Sequence, residues 1–201
     1  MIKLPNDYAS IEAATDGGKY GQLEAGKPYV LKMCAIENKT SERIPRLSLY
    51  GDMYDPADNS KPVKSYTDDT PDNAWRHRYD FLSGVFGSEG EVDFKKLKGF
   101  MAKVEASNPG FTFDGDEQKL AGKYVGVVLR DRSYVSKRDG QVKHVLDAAQ
   151  WLTVADAKAG EFNAKLAEPK VGDGVAEAEA RSAQAVAQPA TAALADEDIP
   201  F

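Results

Sequence analysis

The chain has 201 residues, with 26 Lys and Arg against 32 Asp and Glu and a net charge of −6. A single cysteine excludes an internal disulfide framework, and no apolar run approaches the roughly 20 residues of a membrane-spanning helix. Seven acids and two bases lie from Glu168 onward, so residues 1–167 are nearly neutral, and any affinity for nucleic acid has to come from clustered charge and stacking.

Met1-Ile2-Lys3-Leu4-Pro5 lacks the apolar core of a secretory signal, and with a lone cysteine this predicts a soluble protein of a reducing cytoplasm. Residues 1–26 read as an N-terminal extension, closed by Gly26-Lys27-Pro28. A first strand is expected over Tyr29–Ile36, with Cys34 in it as a small buried hydrophobe. A second is expected over Arg46–Gly51. The polar stretch Asp52–Asn73, with Pro56, Pro62 and Pro71, reads as a long loop of functional or mobile character. Trp75–Leu82 reads as a third strand. The period then changes: Phe94, Leu97, Met101 and Val104 form one helical stripe, with Asp93 as N-cap and Asn108-Pro109-Gly110 as the stop. Leu120–Val135 reads as a fourth strand, Asp139-Gly140 as the tight turn of a hairpin, and Gln141–Leu152 as a fifth strand. A short helix capped by Thr153 ends near Ala159-Gly160.

From 168 to 195 the sequence is alanine-rich, with no aromatic and almost no large aliphatic residue, and reads as a disordered linker. Residues 196–201 form an acidic tip. The expected class is mainly β with one or two helices (α+β). Three strands, a helix and a hairpin is the element order of an OB-fold, a five-stranded barrel, here over residues 27–167 with a disordered C-terminal tail; other α+β domains share that order.

Alternation along the strands places candidate contacts on one face. Arg46 and Tyr50 share a face of the second strand, with Ser48 and Tyr54. Trp75, Arg76, Arg78 and Tyr79 crowd the third, around His77. Tyr124, Arg130, Arg132 and Tyr134 share a face of the fourth, and Lys137, Arg138 and Lys143 surround the hairpin tip. Guanidinium groups track phosphates and rings stack on unpaired bases, so this mixture suits single-stranded DNA, and RNA would meet the same surface. The competing reading is ordinary edge residues, with the arginines paired to Asp80, Asp131 and Asp139. Lys95, Lys96, Lys98 and Lys103 read as the solvated face of the helix. No zinc cluster, phosphate loop or dinucleotide fingerprint is present, and Asp114-Gly115-Asp116 misses the calcium-loop spacing. No cofactor, metal or catalytic role is expected.

The last residues, Asp196-Glu197-Asp198-Ile199-Pro200-Phe201, combine three carboxylates with a terminal Pro-Phe, a peptide that a pocket on another protein could bury. This tip resembles that of bacterial and phage single-stranded-DNA-binding proteins. The runs Phe94-Lys95-Lys96-Leu97-Lys98-Gly99-Phe100, Ser107-Asn108-Pro109-Gly110-Phe111 and Lys119-Leu120-Ala121-Gly122-Lys123-Tyr124-Val125-Gly126 resemble a family of phage and prophage single-stranded-DNA-binding proteins, once catalogued as a domain of unknown function. The resemblance spans about Lys27 to Phe162 and is loosest over Asp52–Asn73. It implies an OB-fold that coats single-stranded DNA in phage replication or recombination, in the cytoplasm of a bacterial host, and recruits replication and recombination proteins through the tip. The alternative of another class is a protein-interaction adaptor whose tail mimics nucleic acid. Oligomeric state, homo-oligomers included, is left open.

Overall fold

The computed structural model describes residues 23–39, 46–82 and 94–187. It is a mixed α/β protein with a six-stranded open sheet of order β3-β2-β1-β4-β5, to which β6 adds beside β4. In chain order the elements are β1 (Pro28–Asn38), β2 (Arg46–Tyr54), β3 (Arg78–Leu82), α1 (Phe94–Ser107), β4 (Tyr124–Val135), β5 (Val142–Leu152), α2 (Val154–Ala159), β6 (Lys170–Val171) and α3 (Val175–Ala187). Contacts divide the chain into two units, one reaching Arg130 and including Asp147–Glu168, the other comprising Asp131–Leu146 and the chain from Pro169.

In the first unit β1 pairs antiparallel with β2 on one side and β4 on the other. One face buries Leu31, Met33, Leu49, Met53, Val125, Val127 and Leu129, and Val104 of α1 and Leu120 are fully buried as well. The opposite face carries a second cluster, in which Val30, Val128 and Leu152 pack with Ala157 of α2 and with Ala167. β1 and β4 thus bury apolar groups on both faces, which is why Tyr29-Val30-Leu31 reads as an unbroken apolar run rather than an alternation.

α1 buries Phe100, Met101 and Val104. Phe100 stacks on Phe81 of β3, with centroids 4.5 Å apart, and meets Trp151 of β5 edge-on at 5.1 Å. The helix therefore bridges the two outer strands, which no strand pairing joins among the described residues. Ser107 Oγ donates to the Lys103 carbonyl and accepts from the Val154 N–H, tying the end of α1 to the start of α2. α2 is built as its sequence requires. Thr153 and Asp156 form a reciprocal capping box, and Gly160 closes the helix at φ 71°.

Three expectations are corrected. Trp75, Arg76 and His77 are not strand residues but the end of a 3-10 helix, Pro71–His77. Pro71 presets the helical φ, and the strand starts at Arg78. Cys34 is half-buried at a β-bulge rather than enclosed, its Sγ 3.6 Å from Asp52 Oδ2. The stretch read as a disordered linker carries β6 and α3 up to Ala187. In the second unit β6 runs parallel to β4 at Arg132 and Ser133, and α3 buries Val175 and Ala178, one turn apart. Those two residues supply the apolar face that an alanine-rich sequence conceals. The N-terminal extension up to residue 22, Asp93, residues 188–195 and the 196–201 tip lie outside the described residues.

Candidate nucleic-acid interface

Register fixes which side chains share the outer face of β2 and β3. Tyr50 lies opposite Arg78, Ser48 opposite Asp80, and Leu49 opposite Tyr79. Since Leu49 points into the core, Tyr79 does too, and it is only 4% exposed. Burial pushes its hydroxyl well above the usual phenol range. Tyr79 is therefore withdrawn as a DNA-contacting residue.

The outer row is polar and of both signs. Ser48 Oγ donates to Asp80 Oδ1 at 2.8 Å, Arg78 Nε lies 3.3 Å from the same oxygen, and Arg46 Nε is 3.7 Å from Oδ2. One carboxylate thus lies beside two guanidiniums. Tyr50 donates its hydroxyl to Glu37 Oε2 at 3.0 Å, and Lys39 pairs with the same oxygen at 3.1 Å. The Lys39 bond, aided by Tyr50, holds the Glu37 carboxyl below the usual carboxylate range.

The long loop after β2 is folded back on this face rather than free. Val63 N–H donates to the Met53 carbonyl at 2.7 Å, and Met53 N–H to the Lys64 carbonyl at 2.8 Å. Asp52, 4% exposed, then gathers the next three residues. Its Oδ1 accepts from Ser65 Oγ (3.1 Å), Tyr66 N–H (2.8 Å) and Thr67 N–H (3.1 Å), and its Oδ2 accepts from Thr67 Oγ1 (3.1 Å). This sets Tyr66 6.0 Å from Tyr50 and 6.1 Å from His77, centroid to centroid. His77 is buried and meets Asp69 Oδ2 at 2.8 Å. Lys64, its amine pushed down by burial, donates to the Arg76 carbonyl.

The result is a braced segment that ends in an exposed pair. Trp75 is 66% exposed, and the Arg76 guanidinium lies over its ring at 5.4 Å. No carboxylate pairs with Arg76 among the described residues. Asp52 is the brace, so Asp52→Ala is expected to leave several buried donors unpaired and to cost about 3 kcal/mol in urea denaturation. It should also raise hydrogen exchange at Tyr66 and Thr67; unchanged exchange there would refute the brace.

The other expected residues fall apart into smaller groups. Tyr124 opens β4 and is exposed by 39%. Arg130 is half-buried on Asp147 at 3.2 Å. In the second unit Arg132 lies over the Tyr134 ring at 5.3 Å, Lys143 pairs with Asp139 at 3.2 Å, and Lys137 and Arg138 are exposed at the hairpin turn. His144 is 3.2 Å from Asp131. Of the ion pairs expected for the arginines, that with Asp80 forms, while Arg130 chooses Asp147. Asp52, Tyr66 and Lys32 were missed. The partners of Asp52 are 13 to 15 residues away and include backbone N–H groups, which leave no mark in a sequence.

No helix among the described residues is long and apolar enough to cross a membrane. Comparison with known protein families and with curated proteins returns no match.

Proposed function

We propose that this chain binds single-stranded nucleic acid, DNA foremost, without sequence preference, on the outer face of β2 and β3 and the Trp75–Arg76 pair beside them. Coating the strand blocks re-pairing and nuclease attack, and the acidic tip offers replication and recombination proteins a docking peptide. No catalytic step is involved. The observation that carries this reading is the exposed Trp75 under an Arg76 that no carboxylate pairs with among the described residues, two residues before the buried His77 whose ring continues through Tyr66 to Tyr50. A large ring left in water by a well-braced segment gains nothing for folding, whereas an unpaired base can cover it.

The strand order supports an OB-type barrel as the scaffold. β3-β2-β1-β4-β5 with a helix between β3 and β4 is the order such a barrel would have if cut between its outer strands, and Phe81, Phe100 and Trp151 pack together between β3, α1 and β5. The resemblance of the Ser107–Phe111 and Lys119–Gly126 segments and of the tip to phage single-stranded-DNA-binding proteins points the same way.

The test is an anisotropy titration with labelled oligo-dT at two salt concentrations, with an RNA oligomer as competitor. Binding that weakens steeply with salt is expected, because neutralised phosphates release counterions. Asp80→Asn removes one negative charge from beside Arg46 and Arg78, so it is expected to tighten binding several-fold at low salt and to steepen the logarithmic salt slope by about 0.7. Absence of dT binding at low salt would overturn the reading in favour of a protein-interaction adaptor.

A further inference from the structure

Ion pairing sorts the cations of the outer sheet face. Arg46 and Arg78 are held by Asp80, and Arg130 by Asp147. The charge of each is already partly answered by a carboxylate before a phosphate arrives. Lys32 is different. It lies on β1 between Asp52 of β2 and Tyr124 of β4, each its register partner. Both oxygens of Asp52 are taken up by Ser65, Tyr66 and Thr67. No carboxylate pairs with Lys32 among the described residues, and the residue is half-buried.

Tyr124, one strand away at about 4.8 Å spacing, shares this face by register. Its backbone is clamped by one side chain: Asn108 Oδ1 accepts the Tyr124 N–H at 2.9 Å, and Asn108 Nδ2 donates to the Tyr124 carbonyl at 2.8 Å and to the Val104 carbonyl at 2.6 Å. The Asn of the Ser-Asn-Pro-Gly-Phe segment thus ends α1 and fixes the first residue of β4 in one gesture. The ring is 39% exposed, and its hydroxyl has no hydrogen-bond partner among the described residues. Tyr50 and Tyr29, by contrast, bond through their hydroxyls to Glu37 and to the Glu24 N–H. Next to Tyr124 the cluster of Val30, Val128 and α2, with Tyr54 packed on it, closes the face with an apolar floor.

We propose that Tyr124 and Lys32 form a second nucleotide subsite on β1 and β4, Tyr124 stacking on a base and Lys32 neutralising the adjoining phosphate. The subsite rests on the single-strand-binding reading and extends it across the sheet, from the β2–β3 row to the far side of β1. Asn108 fixes the backbone that carries the Tyr124 ring before any ligand arrives, so little main-chain ordering is lost on binding. Lys32 meets a phosphate without first giving up a partner.

The experiment uses the full chain. Oligo-dT carrying 5-iodo-deoxyuridine is crosslinked by light and the modified peptides are mapped by mass spectrometry, while anisotropy with labelled dT20 gives the affinities of wild type, Tyr124→Ala, Tyr124→Phe and Lys32→Ala. A crosslink at Tyr124 is expected. Tyr124→Ala and Lys32→Ala should each weaken dT20 binding about tenfold, and Tyr124→Phe should keep wild-type affinity because the ring, not the hydroxyl, makes the contact. Thermal melting identifies any variant that fails to fold, and the wild-type crosslink needs no variant at all. If wild type binds dT20 while Tyr124 stays unmodified and Lys32→Ala is unaffected, the subsite is overturned and the β2–β3 reading stands. If wild type binds no oligomer, the binding reading falls and the subsite with it.

Discussion

Trp75→Ala is expected to weaken oligo-dT binding by roughly 5- to 100-fold while moving the melting temperature by no more than about 1 °C. The two halves of this expectation come from one fact, that the ring is two-thirds exposed. Truncating a side chain that buries little apolar area removes little stability, since the hydrophobic contribution scales with area withdrawn from water. A base stacked on that ring contributes about 1–3 kcal/mol, and every 1.4 kcal/mol is a factor of ten in affinity. Trp151 offers the internal contrast. It is packed against Phe100 and Phe81, so the same truncation there should lower stability. The measurement is a dT titration beside a thermal melt of each variant. Wild-type affinity in Trp75→Ala would remove Trp75 from the interface, whereas a large drop in its melting temperature would mean that the ring is structural after all.

Elements whose signals are local were legible in the sequence. The cap at Thr153 and the glycine stop at Gly160 bound α2 as expected, because both are made by residues within one turn of each other. α1 ends where Asn108-Pro109-Gly110 demands, and the Asp139-Gly140 turn joins β4 to β5. Signals that depend on distant partners were not legible. Trp75-Arg76-His77 has the composition of a strand, yet Pro71 starts a 3-10 helix that carries all three. Tyr79 has the arginine-rich surroundings of an interface residue, yet two-residue alternation from Arg78 sends it inward, opposite Leu49. For the candidate interface, the cations were visible but their ion pairs were not. Which arginines are held and which lysine is open depends on register, and register is a property of two strands at once.

Gly51→Ala should be the most damaging single-methyl addition to the fold. Gly51 sits opposite Met33, just before the bulge at which the β1–β2 register shifts by one residue. A Cβ placed on it would lie 2.0 Å from the Lys32 carbonyl oxygen and 2.9 Å from the Lys32 carbonyl carbon, and 2.9 Å from Leu31 Cδ1. The leucine methyl can turn away; the Lys32 backbone cannot, because β1 is hydrogen-bonded on both sides, to β2 and to β4. Relief therefore requires the two strands to part at Lys32, with loss of ladder hydrogen bonds and of the packing of Leu31 and Met33. A cost of about 3 kcal/mol or more is expected, at the upper end of what overpacking produces, and is read as a lowered denaturation midpoint in urea. The strain falls on the strand segment that presents Lys32 to Tyr124, so any folded fraction should also lose dT affinity. A midpoint within experimental error of wild type would show that β1 and β2 do not cross as closely as their register requires.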